Sequence, residues 1–211
     1  MALTHAGYRP ARQNRSAVSE QKLVAAAERL FAERGYAHTK ISDIIRESGI
    51  STGSFYHRFS DKEGLLRVMM DRFIAEAGQI IADWGASAAE HETLEATLTS
   101  LAGVVFDTIT ARLGVYRAMQ EKAQTDPGYW RHFASLGQAV VAEATAATVR
   151  HRGEITAADP DAAIRNAVQV ILLLIIQTRL GAGVMFPKGR DEFIAIVVQA
   201  ALGVLQPGRQ G

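Results

Sequence analysis

Apolar residues recur along this chain with the three-and-four spacing of an amphipathic α-helix. The first stripe begins near Leu23 and is expected to end at Gly35, with Ser19 as its N-cap. Similar stripes continue to the C-terminal region, and none of the chain shows the alternation typical of a β-strand. The pattern therefore predicts an all-α protein.

Two short helices follow the first stripe and meet at the sequence Gly49-Ile50-Ser51. Thr39 is the expected N-cap of the earlier helix, and Gly49 suits the left-handed position at its end. Ser51 is the expected cap of the next helix, which runs to about Phe59. Two short helices joined by a tight glycine turn form a helix-turn-helix, an arrangement that can place its second helix in the DNA major groove.

A longer fourth helix opens with a capping box between Ser60 and Glu63, and we place the domain boundary inside it. The predicted organisation has a disordered basic arm at 1–18, a helix-turn-helix DNA-binding domain at 19–77 and a larger helical domain at 78–211. That larger domain, rich in helical stripes, is expected to dimerise.

The formal net charge of the 211 residues is only +1, but its distribution is uneven. Residues 1–72 contain twelve Lys and Arg against eight Asp and Glu, whereas residues 73–211 contain eleven against fourteen. The arm carries Arg9, Arg12 and Arg15 and has no acidic residue, so it can bind phosphate. The basic half of the chain is thus the half with the helix-turn-helix.

The chain has no cysteine, which excludes a disulfide framework, a thiolate metal site and a cysteine nucleophile. The N-terminal stretch lacks the apolar core of a secretory signal. The strongest apolar run, Val170–Ile176, is shorter than the roughly 20 residues that cross a bilayer. We expect a cytoplasmic protein without a membrane segment.

Residues 160–180 are apolar almost all round, which is more than one internal helix face requires. A second apolar helix is predicted at 191–205. We expect both helices to pack against their symmetry mates as a four-helix homodimer interface.

Three segments around the helix-turn-helix resemble the DNA-binding signature of the TetR family. They are Thr39-Lys40-Ile41-Ser42-Asp43-Ile44, the stretch from Gly49 to Phe59 that reads GISTGSFYHRF, and Ser60-Asp61-Lys62-Glu63-Gly64-Leu65-Leu66. The resemblance covers residues 19–77 and implies a repressor-like homodimer that a small ligand releases from its operator. Ile45 departs from the family pattern, which usually has alanine there, and Gly64 lies unusually inside the first turn of the fourth helix.

The candidate DNA contacts are short hydroxyls, a glycine, aromatics and cations at or near the second short helix. Gly53 would let the helix N-terminus approach phosphate, and Lys62 offers a point charge at the next helix start. Three of these residues have an alternative reading: Tyr56 as a packing aromatic, and Lys62 and Arg46 as solvated surface cations. The full set is Thr39, Arg46, Ser51, Thr52, Gly53, Ser54, Tyr56, His57 and Lys62.

A second set of residues in the helical domain could line an apolar effector cavity with a few polar groups. Each member could equally be ordinary core, and it is the family resemblance that favours a pocket. The set is Trp84, Phe106, Tyr116, Met119, Tyr129, Trp130, Phe133 and Gln177.

Catalytic motifs are absent: the sequence contains no H-E-x-x-H, G-x-S-x-G, P-loop or G-x-G-x-x-G string. His91, His132 and His151 are too scattered to indicate a metal site, and we predict no cofactor. A helical enzyme or an adaptor with a purely structural helix-turn-helix are the alternatives. The missing acid–base or metal constellation weighs against an enzyme, and the basic arm beside a polar recognition helix weighs against an adaptor.

Overall fold

The computed structural model describes residues 14–181 and 189–206, except for the side chains of 14–16, 130, 132 and 133. Over these residues the chain is all-α, as predicted, and contains no β-strand. The helices are α1 (Asn14–Arg34), α2 (Ile41–Ser48), α3 (Thr52–Arg58), α4 (Lys62–Ser87), α5 (Leu94–Ala111), α6 (Leu113–Ala123), α7 (Gly128–Thr148), α8 (Pro160–Arg179) and α9 (Arg190–Leu205).

The start of α1 differs from the sequence prediction. The helix begins at Asn14, so Ser19 lies inside it and is not its N-cap, and residues 14–18 are helical, not part of a disordered arm. No glycine or proline interrupts residues 14–34, so nothing stops the helix from extending towards its N-terminus. Gly35, with a φ of 79°, ends it as expected. The rest of the predicted arm, 1–13, lies outside the described residues.

The described chain divides into two compact units. The first comprises 14–75 with 112–132, and the second comprises 76–111 with 133–181 and 189–206. The division inside α4 lies close to the predicted boundary at residue 77. The inclusion of 112–132 in the first unit was not predicted, because the sequence assigned everything after residue 77 to a second domain.

Close packing of α6 on α1 explains this difference. The Glu28 carboxylate accepts hydrogen bonds from the amides of Gly114 (2.6 Å) and Val115 (3.2 Å), so it caps the N-terminus of α6. At the other end of α6, Glu121 accepts hydrogen bonds from the amides of Tyr36 (3.0 Å) and Ala37 (2.8 Å). Two carboxylates on different helices therefore hold α1 and α6 together.

The second unit is built around α5, α8 and α9, which pack on one another. The Phe106 ring on α5 lies 6.0 Å from the Phe193 ring on α9. Six inward residues of α8 are buried: Ala163, Ile164, Ala167, Val168, Ile171 and Ile175. On the outward faces, Leu173 of α8 remains 49% exposed and Ile196 of α9 remains 38% exposed.

By length and composition alone, α8 is apolar enough to cross a membrane. The short run Val170–Ile176, considered alone, did not predict this because it covers only part of the helix. The core helix of a soluble protein passes the same test. Here α8 packs against α5 and α9, and it carries exposed Asp161 and Arg165.

Candidate nucleic-acid interface

The turn between α2 and α3 has the geometry that the sequence predicted. Gly49 is left-handed with a φ of 67°, a conformation that glycine adopts without steric cost. Ser51 caps α3 by accepting a hydrogen bond from the Ser54 amide at 3.2 Å. These local interactions fix where α3 begins.

The recognition helix α3 has two distinct faces. Its inner face carries Phe55 and Arg58, both of which are buried in the first unit. Its outer face consists of residues that the sequence had assigned to DNA and that are all exposed: Thr52, Gly53, Ser54, Tyr56 and His57. This outer face presents hydroxyls, an accessible backbone and aromatic rings. Such a surface can donate hydrogen bonds to phosphates and to base edges.

Tyr56 belongs to this outer face and not to the core. Its side chain is 53% exposed, and its one ring contact with the described residues is edge-on to Phe55 at 5.3 Å. The alternative reading of Tyr56 as a packing aromatic is therefore not supported.

Thr39 corrects the sequence reading in two respects. Its side chain is completely buried, and its hydroxyl donates to the Gly35 carbonyl at 2.8 Å. The N-cap of α2 is instead Lys40, whose amide donates to the Asp43 carboxylate at 3.2 Å. The Thr39 hydroxyl closes the turn after α1 and is not available to DNA.

Lys62 is also engaged within the protein. Its ammonium donates to the carbonyls of Tyr36 and Thr39, both at 2.7 Å, and lies 4.1 Å from the centre of the Tyr36 ring. Burial lowers its pKa from the ordinary lysine value. Lys62 therefore joins α4 to the loop after α1 and is not a freely solvated lysine, and these two carbonyl contacts compete with the predicted contact to phosphate.

Two other cations lie at the surface of this module. Arg46 is exposed and pairs with Asp43 at 2.7 Å. Lys40 is exposed, and no ion pair to it occurs among the residues that the structure describes. Sequence reasoning missed Lys40 because Thr39 took the N-cap position in the predicted helix. A cation directly at the start of α2 was the signal that could have identified it.

The predicted effector residues fall in both units, and each is described within its own. In the first unit Tyr116, Met119 and Tyr129 are buried, and the Tyr116 ring packs on Phe73 at 5.3 Å.

In the second unit, Trp84 and Phe106 are buried, and the Trp84 indole donates to the Ser100 hydroxyl at 3.0 Å. Gln177 is exposed, and the side chains of Trp130 and Phe133 lie outside the described ones. The effector set stays a prediction.

An open groove of about 630 Å³ lies elsewhere in the second unit, between α5 and α9. Gly103, Val104 and Ile194 are among its lining residues, and Asp107 and Arg190 pair along it at 2.6 Å. The predicted effector residues of the second unit whose side chains the structure describes, Trp84, Phe106 and Gln177, do not line this groove. Within the described residues no group of three or more His, Asp or Glu is placed to hold a metal ion.

The tight turn at Gly49 and the polar outer face of α3 place the protein in the class of helix-turn-helix proteins. Residues 23–69 match the family model described as "Bacterial regulatory proteins, tetR family". This part of the chain is therefore similar to the DNA-binding region of TetR-family regulators.

The chain is 39% identical over 83 residues to the HTH-type transcriptional repressor KstR2 of Rhodococcus jostii (strain RHA1), a match covering 37% of this chain and 39% of KstR2. It spans at most about half the length of the curated relatives that it matches.

Two solved structures share the fold. A putative TetR-family regulator from Mesorhizobium loti MAFF303099 has a TM-score of 0.67 at 23% identity, covering 91% of this chain and 98% of that one. FadR from Bacillus subtilis, solved with stearoyl-CoA, has a TM-score of 0.61 at 21% identity, covering 89% and 98%. At these identities the likeness concerns the fold alone.

Proposed function

We propose that the protein is a homodimeric transcriptional regulator that binds a pseudo-palindromic DNA operator and is released from it by a small-molecule effector. The observation that carries the proposal is the outer face of α3, where all five polar, aromatic or glycine positions are exposed while Phe55 and Arg58 anchor the inner face. Repression is the mode we propose, because the relative KstR2 is a transcriptional repressor.

As part of this proposal we place the effector in the second unit. The structural neighbour FadR was solved in complex with stearoyl-CoA, which supports the proposal that this chain also binds a small molecule. The chain crosses between the two units at three places: within α4, between α5 and α6, and within α7. An effector releases DNA only if it binds the released conformation better, and these crossings are covalent routes for that coupling.

Selection from a random duplex library tests the proposed function. The full-length protein should enrich a pseudo-palindrome whose half-sites lie about one helical turn apart or slightly more, because a two-fold dimer presents two copies of α3. Tyr56→Phe should weaken binding to that sequence by about 1–3 kcal/mol, since it removes only the exposed hydroxyl. Failure of the parent protein to enrich any sequence would reject the proposal.

Lys40→Ala should weaken binding to all duplexes alike and reduce the slope of log affinity against log salt by about one, as expected for one lost phosphate contact. Lys62→Ala should instead leave that slope unchanged and lower the midpoint of urea unfolding, because two carbonyls lose their charged donor.

Affinity measured across salt concentrations, together with urea titration, separates the two variants. Arg152→Ala, which removes an exposed cation of the second unit, is the control for net charge. A reduced salt slope for Lys62→Ala with an unchanged urea midpoint would contradict this assignment.

Gly53→Ala should preserve the fold and weaken DNA binding about tenfold, roughly 1.4 kcal/mol. A Cβ built at Gly53 meets no protein atom within 4 Å, so the fold itself does not require glycine there. Alanine also favours the helix by roughly 0.5–1 kcal/mol. When both are measured on the same sample, the midpoint of thermal unfolding should therefore rise while the operator affinity falls. Unchanged affinity would show that no DNA backbone approaches this position.

A further inference from the structure

A buried cluster of three charged residues lies behind the recognition helix. Glu20 of α1 forms ion pairs with Arg58, the last residue of α3, and with Arg72 of α4. The side chains of Glu20 and Arg58 are almost fully buried, whereas Arg72 is 39% exposed. Each oxygen of the Glu20 carboxylate takes one guanidinium, so this single side chain joins three helices.

The cluster acts on a short helix that has few other buried side chains. The seven residues of α3 make less than two turns, and the only buried side chains among them are Phe55 and Arg58. Phe55 is held by apolar packing, which is non-directional. A guanidinium paired with a carboxylate is directional, and it fixes the end of α3 that lies furthest from the cap at Ser51.

We infer that Glu20, Arg58 and Arg72 are positioning residues that set the orientation of α3 and thereby the sequence preference of DNA binding. This inference rests on the DNA-binding function proposed above. Arg58 lies directly after Tyr56 and His57, so movement of its end of α3 displaces these two side chains relative to Ser54. Contacts to phosphate tolerate such displacement better than hydrogen bonds to base edges.

Stability alone does not explain the cluster. A buried ion pair is often replaceable by apolar residues of similar volume without loss of stability, whereas removal of one partner leaves an unpaired charge. The informative variant therefore replaces both buried partners, as in Glu20→Met combined with Arg58→Met. The matched control is Arg29→Met with Glu47→Met, which removes an exposed ion pair between α1 and α2 that is 2.8 Å long.

The experiment uses the operator that the parent protein selects and a scrambled duplex of equal length. For the Glu20→Met, Arg58→Met protein we expect the ratio of specific to non-specific affinity to fall at least tenfold, with non-specific affinity within twofold of the parent. The control pair should keep the parental ratio. A ratio within threefold of the parent in the folded double variant overturns the inference.

Arg72→Met provides the test if the double variant does not fold. It leaves the buried Glu20–Arg58 pair in place and removes only the part-exposed guanidinium, so the fold should persist. We expect its specificity ratio to fall at least threefold, and in this case a ratio within twofold of the parent overturns the inference. If the parent protein selects no operator, it is the proposed function that fails, and the two failures are thereby distinguished.

Discussion

Gly114→Val is expected to lower the free energy of unfolding by about 3 kcal/mol, near the upper end of the usual cost of overpacking. A Cβ at this position would lie 2.1 Å from the main-chain oxygen of Glu28, so the backbones of α1 and α6 would have to separate. That separation also breaks the hydrogen bonds from Gly114 and Val115 to the Glu28 carboxylate. Urea unfolding followed by circular dichroism measures the change.

Gly78→Val is the matched control for this substitution. Gly78 also lies within a helix, but a Cβ there meets no atom within 4 Å. Its stability should stay within about 0.5 kcal/mol of the parent. If Gly114→Val falls in the same range, the close contact between α1 and α6 is not part of the stable fold.

Leu173→Glu is expected to weaken the proposed homodimer at least a hundredfold, about 2.7 kcal/mol. Leu173 lies on the outward face of α8, and a two-fold interface would bring two introduced carboxylates into an apolar contact. Sedimentation equilibrium of the parent and the variant measures the dimer dissociation constant.

The control is Val149→Glu, which introduces the same charge at an apolar residue that is 59% exposed and lies outside α8 and α9. It should leave the dissociation constant unchanged. An unchanged dimer for Leu173→Glu would exclude this part of α8 from the interface, and equal weakening by both variants would point to a general effect of charge.

The helix-turn-helix could be predicted from sequence because the signals that form it are local. The glycine at 49, the cap at Ser51 and the exposure of Tyr56 each depend on residues within a few positions. The same local reasoning failed at Thr39. A threonine suits an N-cap and a buried hydroxyl that closes the preceding turn equally well, so the residue type does not distinguish these two roles. The N-cap propensity of a residue does not indicate which carbonyl lies near its hydroxyl in the folded protein.

The interactions that the sequence did not predict are those between distant positions. The hydrogen bonds that join α6 to α1 and to the loop after α1 connect residues 84 to 87 positions apart, and nothing in the composition around Glu28 distinguishes it from a solvated surface acid. Lys62 reaches carbonyls 23 and 26 positions away. Residues close to Glu20 in sequence give no sign of its role, because its two arginine partners belong to other helices.

The participation of α6 in the first unit has a consequence for the order of events during synthesis. The ribosome completes α1 to α3 early, but the last helical element of that unit is not available until the segment 112–132 has been made, beyond the middle of the chain. Until then the Glu28 carboxylate and the amides of Tyr36 and Ala37 lack the partners that α6 supplies. Domains generally fold as units when their sequence has emerged. We therefore expect that a nascent chain binds the proposed operator only after residues 112–132 have emerged.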